Sequence, residues 1–430
     1  MNPWIYDFAA YNVWSRPVGL LCCLDMLSRA GARTALVDFM SRELFRPGWP
    51  EPEETGQGHF PKTRLPRPGV LRDIPRQYSR YGVSRQEAVQ ALASLDPEPD
   101  LIMVTSLMTY WYPGVIAAIR LLRSLFPRTF ICLGGIYATL CASHASGCGA
   151  DLVIAGPLEA EHNWKALWRV MGRQAPALPD KSGFSFDMSY YPAPDFSVIM
   201  TSRGCCFSCP YCASSVLYPG FRRSDPDLVI KHVQQEYSRG VRDFAFYDDA
   251  LLVEPRQVLV PVLKYIISNA PGVRLHAPNA LHVRFLEPGI CRMLKRAGLV
   301  TVRLGLETGD FSRRLDTKLN CSQWRLGVGS LLEAGFSRKD IRVYVLAGLP
   351  GGPETGILSA VQLCREFGLQ PELNYYSPIP GTPMFRQAEL SSSYPLEDPL
   401  CHNVSIWPCV PGGFSWEEHK RWKRVCLTGQ

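Results

Sequence analysis

Four cysteines lie within eight residues near the middle of the chain, in the stretch TSRGCCFSCPYCASS. Three of them, Cys205, Cys209 and Cys212, follow the spacing C-x3-C-x2-C in a loop of small and polar residues. Thiolates at this spacing can converge on one iron–sulfur cluster. Zinc sites usually take a second pair of cysteines or histidines, and no such pair is near in the sequence. Cys206 is adjacent to the first ligand and must diverge from a loop that wraps a cluster, so three ligands leave one iron open.

The composition restricts the setting in which such a cluster would work. The chain has 430 residues, 15 cysteines and a formal net charge of +7 from 46 basic and 39 acidic residues. An odd number of cysteines without a signal-peptide pattern argues against a disulfide framework. The longest apolar runs are too short to cross a bilayer, and we find no nucleic-acid-binding motif. These features predict a cytoplasmic protein without membrane or nucleic-acid partners.

A repeated strand–helix pattern surrounds the cysteine loop over residues 196–385. About six such repeats predict a partial parallel (βα)6 barrel, whose active site would assemble at the C-terminal ends of the strands. The residue types that can do chemistry fall at these ends. In strand order they are Cys205, Asp248 with Asp249, Asn279, Glu307, Gly348 with Leu349 and Pro350, and Ser377 with Pro378.

A second series of apolar strands and helices covers residues 1–171. Its strand patterns include WIYDFAAY, TALVDF and ADLVIAG, and one helix opens with the capping box Ser84-x-x-Glu87. Such a series predicts an open, doubly wound α/β domain of Rossmann-like type, which binds ligands beyond the C-terminal strand ends. Residues 172–195 have the composition of a linker, and 386–430 form a C-terminal extension. The residues at the strand ends are Thr105, Ser106, Gly134, Gly135 and Gly156.

The cysteine motif after the first strand of a partial βα barrel resembles the signature of the radical S-adenosylmethionine (SAM) enzymes. In that family the three cysteines bind a 4Fe–4S cluster, and SAM chelates the fourth iron through its amino and carboxylate groups. The reduced cluster cleaves SAM to methionine and a 5′-deoxyadenosyl radical, which abstracts hydrogen from the substrate. The resemblance therefore implies Cys205, Cys209 and Cys212 as cluster ligands. It also implies SAM, a small-molecule substrate and an external electron donor as partners.

The same resemblance implies contacts to SAM from residues near the cluster. Tyr211 matches the aromatic position before the last cysteine, whose backbone meets the adenine in the family. Asp248 and Asp249, at the end of FAFYDD, stand where the family has a Gly-Gly-Glu motif that contacts the SAM amino group, although that motif is not present here. From the residues alone, the aspartate pair can instead cap a following helix.

Two later strands complete the SAM contacts that the resemblance implies. Glu307 in RLGLETG resembles the fourth-strand acid near the SAM ribose or amino group. Gly348 and Leu349 in LAGLPG resemble the fifth-strand glycine motif beside the adenine. A carboxylate beside the SAM ammonium would make charge-assisted hydrogen bonds, whereas the alternative interpretation of Glu307 is an ordinary surface acid.

The N-terminal domain resembles the cobalamin-binding domain of the cobalamin-dependent radical SAM subgroup. The segments ICLGGIYATL and ADLVIAGPLEAE match that subgroup, whereas the D-x-H-x-x-G motif that supplies a histidine to cobalt in other cobalamin proteins is absent. Many subgroup members lack that histidine, and a degenerate domain that no longer binds cobalamin is the alternative. The resemblance implies cobalamin contacts from Thr105, Ser106, Gly134, Gly135, Tyr137 and Gly156.

The resemblance implies a function but no substrate. It predicts an enzyme that reductively cleaves SAM and, with cobalamin, methylates an unactivated carbon of a small molecule. A radical rearrangement or oxidation without methyl transfer is the alternative within the family. A non-catalytic iron–sulfur or corrinoid redox or sensor protein is the alternative from a different class. No catalytic residue can be assigned from the sequence.

Three further groups of residues are candidate metal ligands. For residues in such positions, a structural role is more common than metal binding. They are His276 with His282, Cys141 with His144, and Cys401 with His402 and Cys409.

Overall fold

The computed structural model describes residues 1–179 and 185–429. The chain divides into two compact units, Met1–Pro194 with Glu397–Asn403, and Asp195–Leu396 with Val404–Gln430. The predicted linker at 172–195 falls mainly in the first unit, and its residues 180–184 lie outside the described residues. Every helix in the described part of the chain is too short or too polar to cross a membrane.

The first unit combines a parallel sheet with a separate antiparallel one. The parallel sheet has the order β6-β7-β8 and the antiparallel sheet the order β1-β5-β4, while β2 pairs with β3. The strands are β1 (Ile5–Asp7), β2 (Tyr11–Asn12), β3 (Gly58–His59), β4 (Lys62–Arg64), β5 (Ser79–Tyr81), β6 (Leu101–Val104), β7 (Phe130–Leu133) and β8 (Leu152–Val153). The helices are α1 (Val18–Arg29), α2 (Arg85–Ala93), α3 (Tyr112–Leu125), α4 (Ile136–Leu140), α5 (Ala142–Ala145) and α6 (Glu161–Val170).

Backbone hydrogen bonds extend the parallel sheet beyond β6. The Met1 carbonyl accepts from the Thr105 amide at 3.0 Å, which places the start of the chain beside β6. On its other side, Asn2 pairs in parallel with Asp38 and donates to the Val37 carbonyl at 2.9 Å. Five extended segments therefore lie side by side in the sheet, in the order residues 37–38, residues 1–2, β6, β7 and β8. Numbered by their position in the chain, this order is 2-1-3-4-5. The order reverses at the first segment, and such a switch point is where open α/β sheets bind ligands.

Helices cover both faces of this parallel sheet. Alternate residues of a strand point to opposite faces, so β6 and β7 each contribute to two hydrophobic clusters. Val104 and Leu133 pack with α2 and α3 on one face. Cys132 packs with Leu27 of α1 and Trp164 of α6 on the other. The predicted α/β class with parallel strands is confirmed.

Two strand predictions in this unit are only partly correct. The WIYDFAAY segment contains a strand, β1, but β1 pairs antiparallel with β5 instead of joining the parallel series. The TALVDF segment joins the parallel sheet only through the bridge at Asp38 and the Val37 carbonyl. An apolar run does not show which of its residues pair. Here the parallel pairing stops before Ile5, where α3 packs directly on the backbone: a Cβ on Gly114 would lie 2.0 Å from the Trp4 carbonyl oxygen.

The second unit is built on one six-stranded parallel sheet. The strands of the unit are β9 (Ser197–Ile199), β10 (Ser202–Arg203), β11 (Arg222–Arg223), β12 (Asp243–Phe246), β13 (Arg274–Leu281), β14 (Leu299–Glu307), β15 (Ile341–Ala347) and β16 (Gln370–Tyr375), of which β10 and β11 form a separate two-stranded sheet. Its helices are α7 (Ser214–Leu217), α8 (Pro226–Ser238), α9 (Leu259–Asn269), α10 (Pro288–Arg296), α11 (Cys321–Glu333), α12 (Thr355–Glu366), α13 (Phe385–Ser391) and α14 (Trp416–Thr428).

The strands of this sheet follow each other in chain order. The order is β9-β12-β13-β14-β15-β16, every pairing is parallel, and α8 to α12 lie in turn between successive strands. A core of buried aliphatic and aromatic residues joins sheet and helices. All six C-terminal strand ends therefore meet at one edge of the sheet.

The two central strands are irregular at this edge. The pairing of β13 with β14 shifts between Ala277 and Leu281, and that of β14 with β15 shifts between Gly305 and Glu307. Bulges of this kind redirect side chains and are common beside active sites. The irregular ends belong to the strands that carry Asn279 and Glu307.

Candidate functional site

The cysteine loop leaves the sheet at the C-terminal end of β9. The short strands β10 and β11 pair antiparallel and close the base of the loop. Gly204, directly before the first cysteine, has a φ of +79°. A Cβ at this position would lie 2.2 Å from the Gly220 carbonyl oxygen, so the two ends of the loop are in direct backbone contact. This contact fixes the position of the backbone directly before Cys205.

The three cysteines of the motif differ from the fourth in burial. Cys209 is buried, Cys205 and Cys212 are half-buried, and Cys206 is exposed. Burial raises the pKa of Cys205 to about 11 and that of Cys209 to about 12. Thiols bind iron as thiolates, so iron binding would displace their protons. No three histidine, cysteine or carboxylate side chains of the described residues converge tightly enough to hold a single ion. Three thiols of one loop suit an iron–sulfur cluster, whereas zinc sites usually take four ligands.

Asp248, after β12, supports the start of the cysteine loop. Its buried carboxylate accepts hydrogen bonds from the Thr201 amide at 3.1 Å, the Thr201 hydroxyl at 2.5 Å and the Ser202 hydroxyl at 2.7 Å. Burial raises the pKa of Asp248 to about 6, against the effect of these bonds. Asn279, at the end of β13, donates to the Asp248 carbonyl at 3.3 Å. In this structure the Asp248 side chain bonds to groups of the protein, Thr201 and Ser202, and its contact with SAM stays a prediction.

Asp249 holds the same loop on both sides of the three cysteines. One carboxylate oxygen accepts from the Gly204 amide at 3.1 Å, and the other accepts from the Ser214 hydroxyl at 3.2 Å. Burial raises the pKa of Asp249 above its usual value. The interpretation of the aspartate pair as a helix cap is wrong, because the next helix, α9, begins at Leu259.

A pocket of ≈ 240 Å³ lies at the C-terminal ends of β14 and β15. The structure brings together here four of the six residues that the sequence predicts as SAM contacts. They are Tyr211, Glu307, Gly348 and Leu349. Asp248 and Asp249 do not line this pocket.

Glu307 occupies this pocket in an unusual backbone conformation. Its φ is +63°, which costs a residue with a side chain about 1–2 kcal/mol. Its Oε1 accepts a hydrogen bond from Lys318 Nζ at 2.8 Å, and its side chain is only 17% exposed. The interpretation as a surface acid is therefore wrong. Burial disfavours the charge on Lys318, yet Glu307 and Cys209 hold the pKa of Lys318 above its usual value.

Tyr211 connects the cysteine loop to the strand that carries Glu307. Its hydroxyl donates to Asp316 Oδ2 at 2.6 Å, and Arg314 Nε donates to the other oxygen of Asp316 at 2.8 Å. Arg314 also donates to the Leu306 carbonyl, at the end of β14, at 2.7 Å. Burial raises the pKa of Tyr211, and the neighbouring carboxylates raise it further. Against the effect of burial, the bonds from Tyr211 and Arg314 keep the pKa of Asp316 low.

The two histidines of HAPNALH do not share a metal site. His276 is buried in β13 and bonds to Thr301 Oγ1 and to Asp243 Oδ1, both at 2.9 Å. His282 follows the strand, and its Nε2 lies 3.8 Å from the Sγ of Cys205. Burial lowers the pKa of His282 to about 4.

In the first unit, the predicted cobalamin contacts after β6 and β7 lie together. The Ser106 hydroxyl donates to the Gly134 carbonyl at 2.7 Å. Gly135 has a φ of +96°, and a Cβ there would lie 2.3 Å from the Ser106 carbonyl oxygen. Thr105 and Ser106 are buried, whereas Gly135 is exposed. The loops after β6 and β7 are therefore in direct contact at the C-terminal edge of the parallel sheet.

Helix α4 links this edge to the loop after β8. The Thr139 hydroxyl accepts from the Gly156 amide at 2.9 Å. Tyr137 of the same helix is buried, and its hydroxyl lies 2.6 Å from His144 Nδ1 and 3.2 Å from Cys148 Sγ. Tyr137 and His144 are therefore engaged inside the unit, and no ligand set forms around His144 in the described residues.

The cysteines and histidine near the C-terminus belong to different units. Cys401 and His402 are part of the first unit, and Cys409 is part of the second. His402 is buried, and its Nδ1 lies 3.0 Å from the Thr109 hydroxyl. Burial raises the pKa of Cys401 to about 12.

The second unit matches a known family model. Residues 199–364 match the model of the Radical SAM superfamily. This range contains the cysteine loop, Glu307 and the glycine loop of the pocket. Residues 199–364 are a radical SAM domain. That assignment accounts for a three-cysteine loop that adjoins a pocket at the strand ends.

Relatives extend the similarity beyond the radical SAM domain. An uncharacterized methyltransferase of Pyrococcus horikoshii is 21% identical over 243 residues, which are 49% of this chain and 52% of the relative. The chain thus matches about half of that relative's length. The structure of TsrM, a radical SAM methyltransferase from Kitasatospora setae, with tryptophan substrate and a SAM analogue bound, covers 89% of this chain and 75% of its own, with a TM-score of 0.63 and 15% identity. TsrM with cobalamin and a [4Fe–4S] cluster bound covers 72% of both chains, with a TM-score of 0.58 and 16% identity. At these identities the likeness concerns the fold.

Sequence reasoning missed several residues around the radical SAM domain's pocket. Lys318 and Asp316 lie in a loop after β14 whose sequence follows no recognised motif. The sequence offers His282 as a candidate metal ligand with His276 or, more commonly, as a structural histidine, and neither interpretation indicates its contact with Cys205. A buried basic residue in a loop gives no periodic signal, so only the folded chain shows that Lys318 pairs with Glu307.

Proposed function

We propose that this protein is an enzyme that cleaves SAM reductively at a 4Fe–4S cluster held by Cys205, Cys209 and Cys212. One observation supports this more than any other. Tyr211, which lies between two of the cysteines, also lines the pocket that contains Glu307 and the glycine loop. The cluster, when bound, supplies the electron that breaks a carbon–sulfur bond of SAM. An external electron donor must provide that electron.

The pocket residues have complementary roles in binding SAM. Glu307 carries the negative charge that would accept hydrogen bonds from the SAM ammonium group, and Lys318 orients this carboxylate. Gly348 and Leu349 would present backbone to the adenine. Gly348 has a φ of +69°, which favours glycine at this turn. Asp248 and Asp249 would act on the loop that holds the cluster, with a contact to the SAM amino group as a further role.

We include cobalamin in the proposal because the edge of the first unit's sheet suits a large flat ligand. Gly135 and Ala155 are exposed there, and a Cβ on Gly134 would meet only the Ile154 carbonyl oxygen, at 4.0 Å. One of the TsrM structures contains both cobalamin and a cluster. When bound, cobalamin supplies a carrier for a methyl group. The residues that would hold it are Thr105, Ser106, Gly134, Gly135 and Gly156, whereas Tyr137, which is buried and bonded inside the unit, would support helix α4 behind them.

The reaction that these cofactors favour is methylation of an unactivated carbon of a small molecule. Both named relatives are methyltransferases, which supports this choice over rearrangement or oxidation.

Anaerobic reconstitution tests the proposal. The purified protein should bind four irons and a corrin, and with SAM and dithionite it should release 5′-deoxyadenosine and S-adenosylhomocysteine. Replacing all three motif cysteines with alanine should abolish iron binding and SAM cleavage, whereas Cys206→Ala should retain both. An intact cluster without SAM cleavage would favour a redox or sensor protein. Bound corrin without S-adenosylhomocysteine would favour rearrangement or oxidation.

A further inference from the structure

A histidine lies against the first cysteine of the motif. His282 stands directly after β13, and its Nε2 is 3.8 Å from Cys205 Sγ. The backbone amide of Phe207 donates to the same sulfur at 3.4 Å. The sulfur of Cys205 therefore has two nitrogen donors within reach, one from its own loop and one from a neighbouring strand end.

Aromatic contacts hold the His282 ring in this position. Its centroid is 5.1 Å from that of Phe207 and 6.3 Å from that of Phe285. The guanidinium of Arg284 lies 5.6 Å from the Phe207 ring and 5.5 Å from the Phe285 ring. A rotation of the imidazole away from Cys205 would break these contacts.

The backbone that carries His282 is also fixed. The Phe285 amide donates to the His282 carbonyl at 3.0 Å, which closes a tight turn. Helix α11 packs directly on this turn, because a Cβ on Gly327 would lie 2.4 Å from the Val283 carbonyl oxygen. The distance between imidazole and thiol is thus set by packed elements on both sides.

The second ring nitrogen indicates which tautomer is present. Nδ1 of His282 is buried and has no hydrogen-bond partner among the described residues. A cluster thiolate offers only lone pairs, so a bond to Cys205 requires the proton on Nε2. That tautomer also avoids a buried N–H without an acceptor at Nδ1.

We propose that His282 donates a hydrogen bond from Nε2 to the Cys205 thiolate of the cluster and thereby raises the cluster's reduction potential. The proposal rests on the proposed function, since it requires a cluster at Cys205. Reduction adds one electron from the external donor to the cluster. A donor aimed at a ligand sulfur stabilises the added negative charge, so it shifts the equilibrium toward the reduced cluster. His282 is in this sense a positioning residue that acts through Cys205.

The reduction potential of the reconstituted full-length protein tests this directly, measured without SAM by a redox titration followed by electron paramagnetic resonance. His282→Phe keeps an aromatic ring but removes the N–H group, and His282→Gln restores an N–H donor. We expect the phenylalanine variant to lower the equilibrium constant for reduction about tenfold, a shift of about 59 mV for a one-electron couple. The glutamine variant should lie closer to the wild type. Phe285→Leu removes one of the two aromatic contacts of the His282 ring but keeps the donor, so its potential should lie between those of the wild type and His282→Phe.

Three results would overturn the proposal. The first is equal potentials for the wild type and His282→Phe at equal iron content. The second is loss of the cluster in both His282 variants but not in Phe285→Leu, which would make the histidine an assembly residue. The third is a wild-type protein that binds no iron, which would overturn the proposed function first and this inference with it.

Discussion

Asp249 accepts a hydrogen bond from the backbone amide of Gly204 at 3.1 Å, immediately before the first cysteine of the motif. The other oxygen of the same carboxylate accepts from Ser214, whose hydroxyl is also 3.4 Å from the sulfur of Cys212. A single side chain just after β12 therefore fixes the chain directly before the first cysteine and shortly after the third. This positioning role does not depend on any contact between Asp249 and SAM.

Replacing Asp249 should impair cluster binding. We expect Asp249→Ala to bind less than half of the wild-type iron, because Gly204 and Ser214, on either side of the cysteines, each lose a hydrogen bond to a charged group, worth about 1.5–3 kcal/mol. Asp249→Asn retains one acceptor oxygen and should lie between the two. Iron analysis after reconstitution measures this. Glu372→Gln removes an exposed carboxylate from β16 of the same sheet and should bind iron normally. Wild-type iron content in Asp249→Ala would contradict the positioning role.

Titration of Asp248 should lower the free energy of unfolding as the pH rises, which is the reverse of the usual effect of a carboxylate. Burial raises the pKa of Asp248 from its usual value of 3.8 to about 6 in the folded protein. Between these values the folded state binds more protons than the unfolded state. The contribution of Asp248 is therefore fully present below about pH 4 and is lost as the pH rises through 6, by about 3 kcal/mol in total.

Asp248→Asn removes this titration while keeping the shape of the side chain. Urea unfolding of the iron-free protein at several pH values between 4 and 7 measures the free energy of unfolding of both proteins. We expect the wild type to lose stability relative to Asp248→Asn as the pH rises, with no further change above pH 7. Parallel pH profiles for the two proteins would show that Asp248 titrates normally.

The sequence alone predicts the parts of this protein that depend on local patterns. The spacing of Cys205, Cys209 and Cys212 needs no tertiary information, and the capping box at Ser84 is confirmed by bonds in both directions with Glu87. Long-range pairing is different. Two examples are the pairing of Met1 with the segment after β6 and the ion pair between Lys318 and Glu307. Each depends on packing between two segments, and the local pattern of one segment does not indicate its partner.

Glu307 should matter for SAM binding more than for the fold. We expect Glu307→Gln to weaken SAM binding about tenfold or more, because a charge-assisted hydrogen bond to the SAM ammonium is replaced by a neutral one. Equilibrium dialysis with the iron-loaded protein measures the affinity, and iron content should not change. Wild-type affinity in Glu307→Gln would remove Glu307 from the SAM site.

The backbone of Glu307 gives a second, independent prediction about stability. At a φ of +63°, glycine is favoured over alanine. Glu307→Gly should therefore be more stable to urea than Glu307→Ala by about 1 kcal/mol, although glycine is usually the less stable of the two. Both variants lose the partner of Lys318, so the comparison isolates the backbone. An alanine variant that is the more stable would show that Glu307 relaxes out of the left-handed conformation.

Two glycines of the cysteine loop provide a matched pair of variants. Gly204 and Gly220 have nearly equal φ values of +79° and +82°, so alanine introduces similar backbone strain at either position. They differ in space: a Cβ on Gly204 would lie 2.2 Å from the Gly220 carbonyl oxygen, whereas a Cβ on Gly220 would meet nothing within 4 Å. Gly204→Ala must therefore separate the two ends of the loop directly before Cys205. We expect it to bind substantially less iron than Gly220→Ala, measured per chain after identical reconstitution. Equal iron content in the two variants would mean that the contact at the base of the loop does not control the geometry of the cysteines.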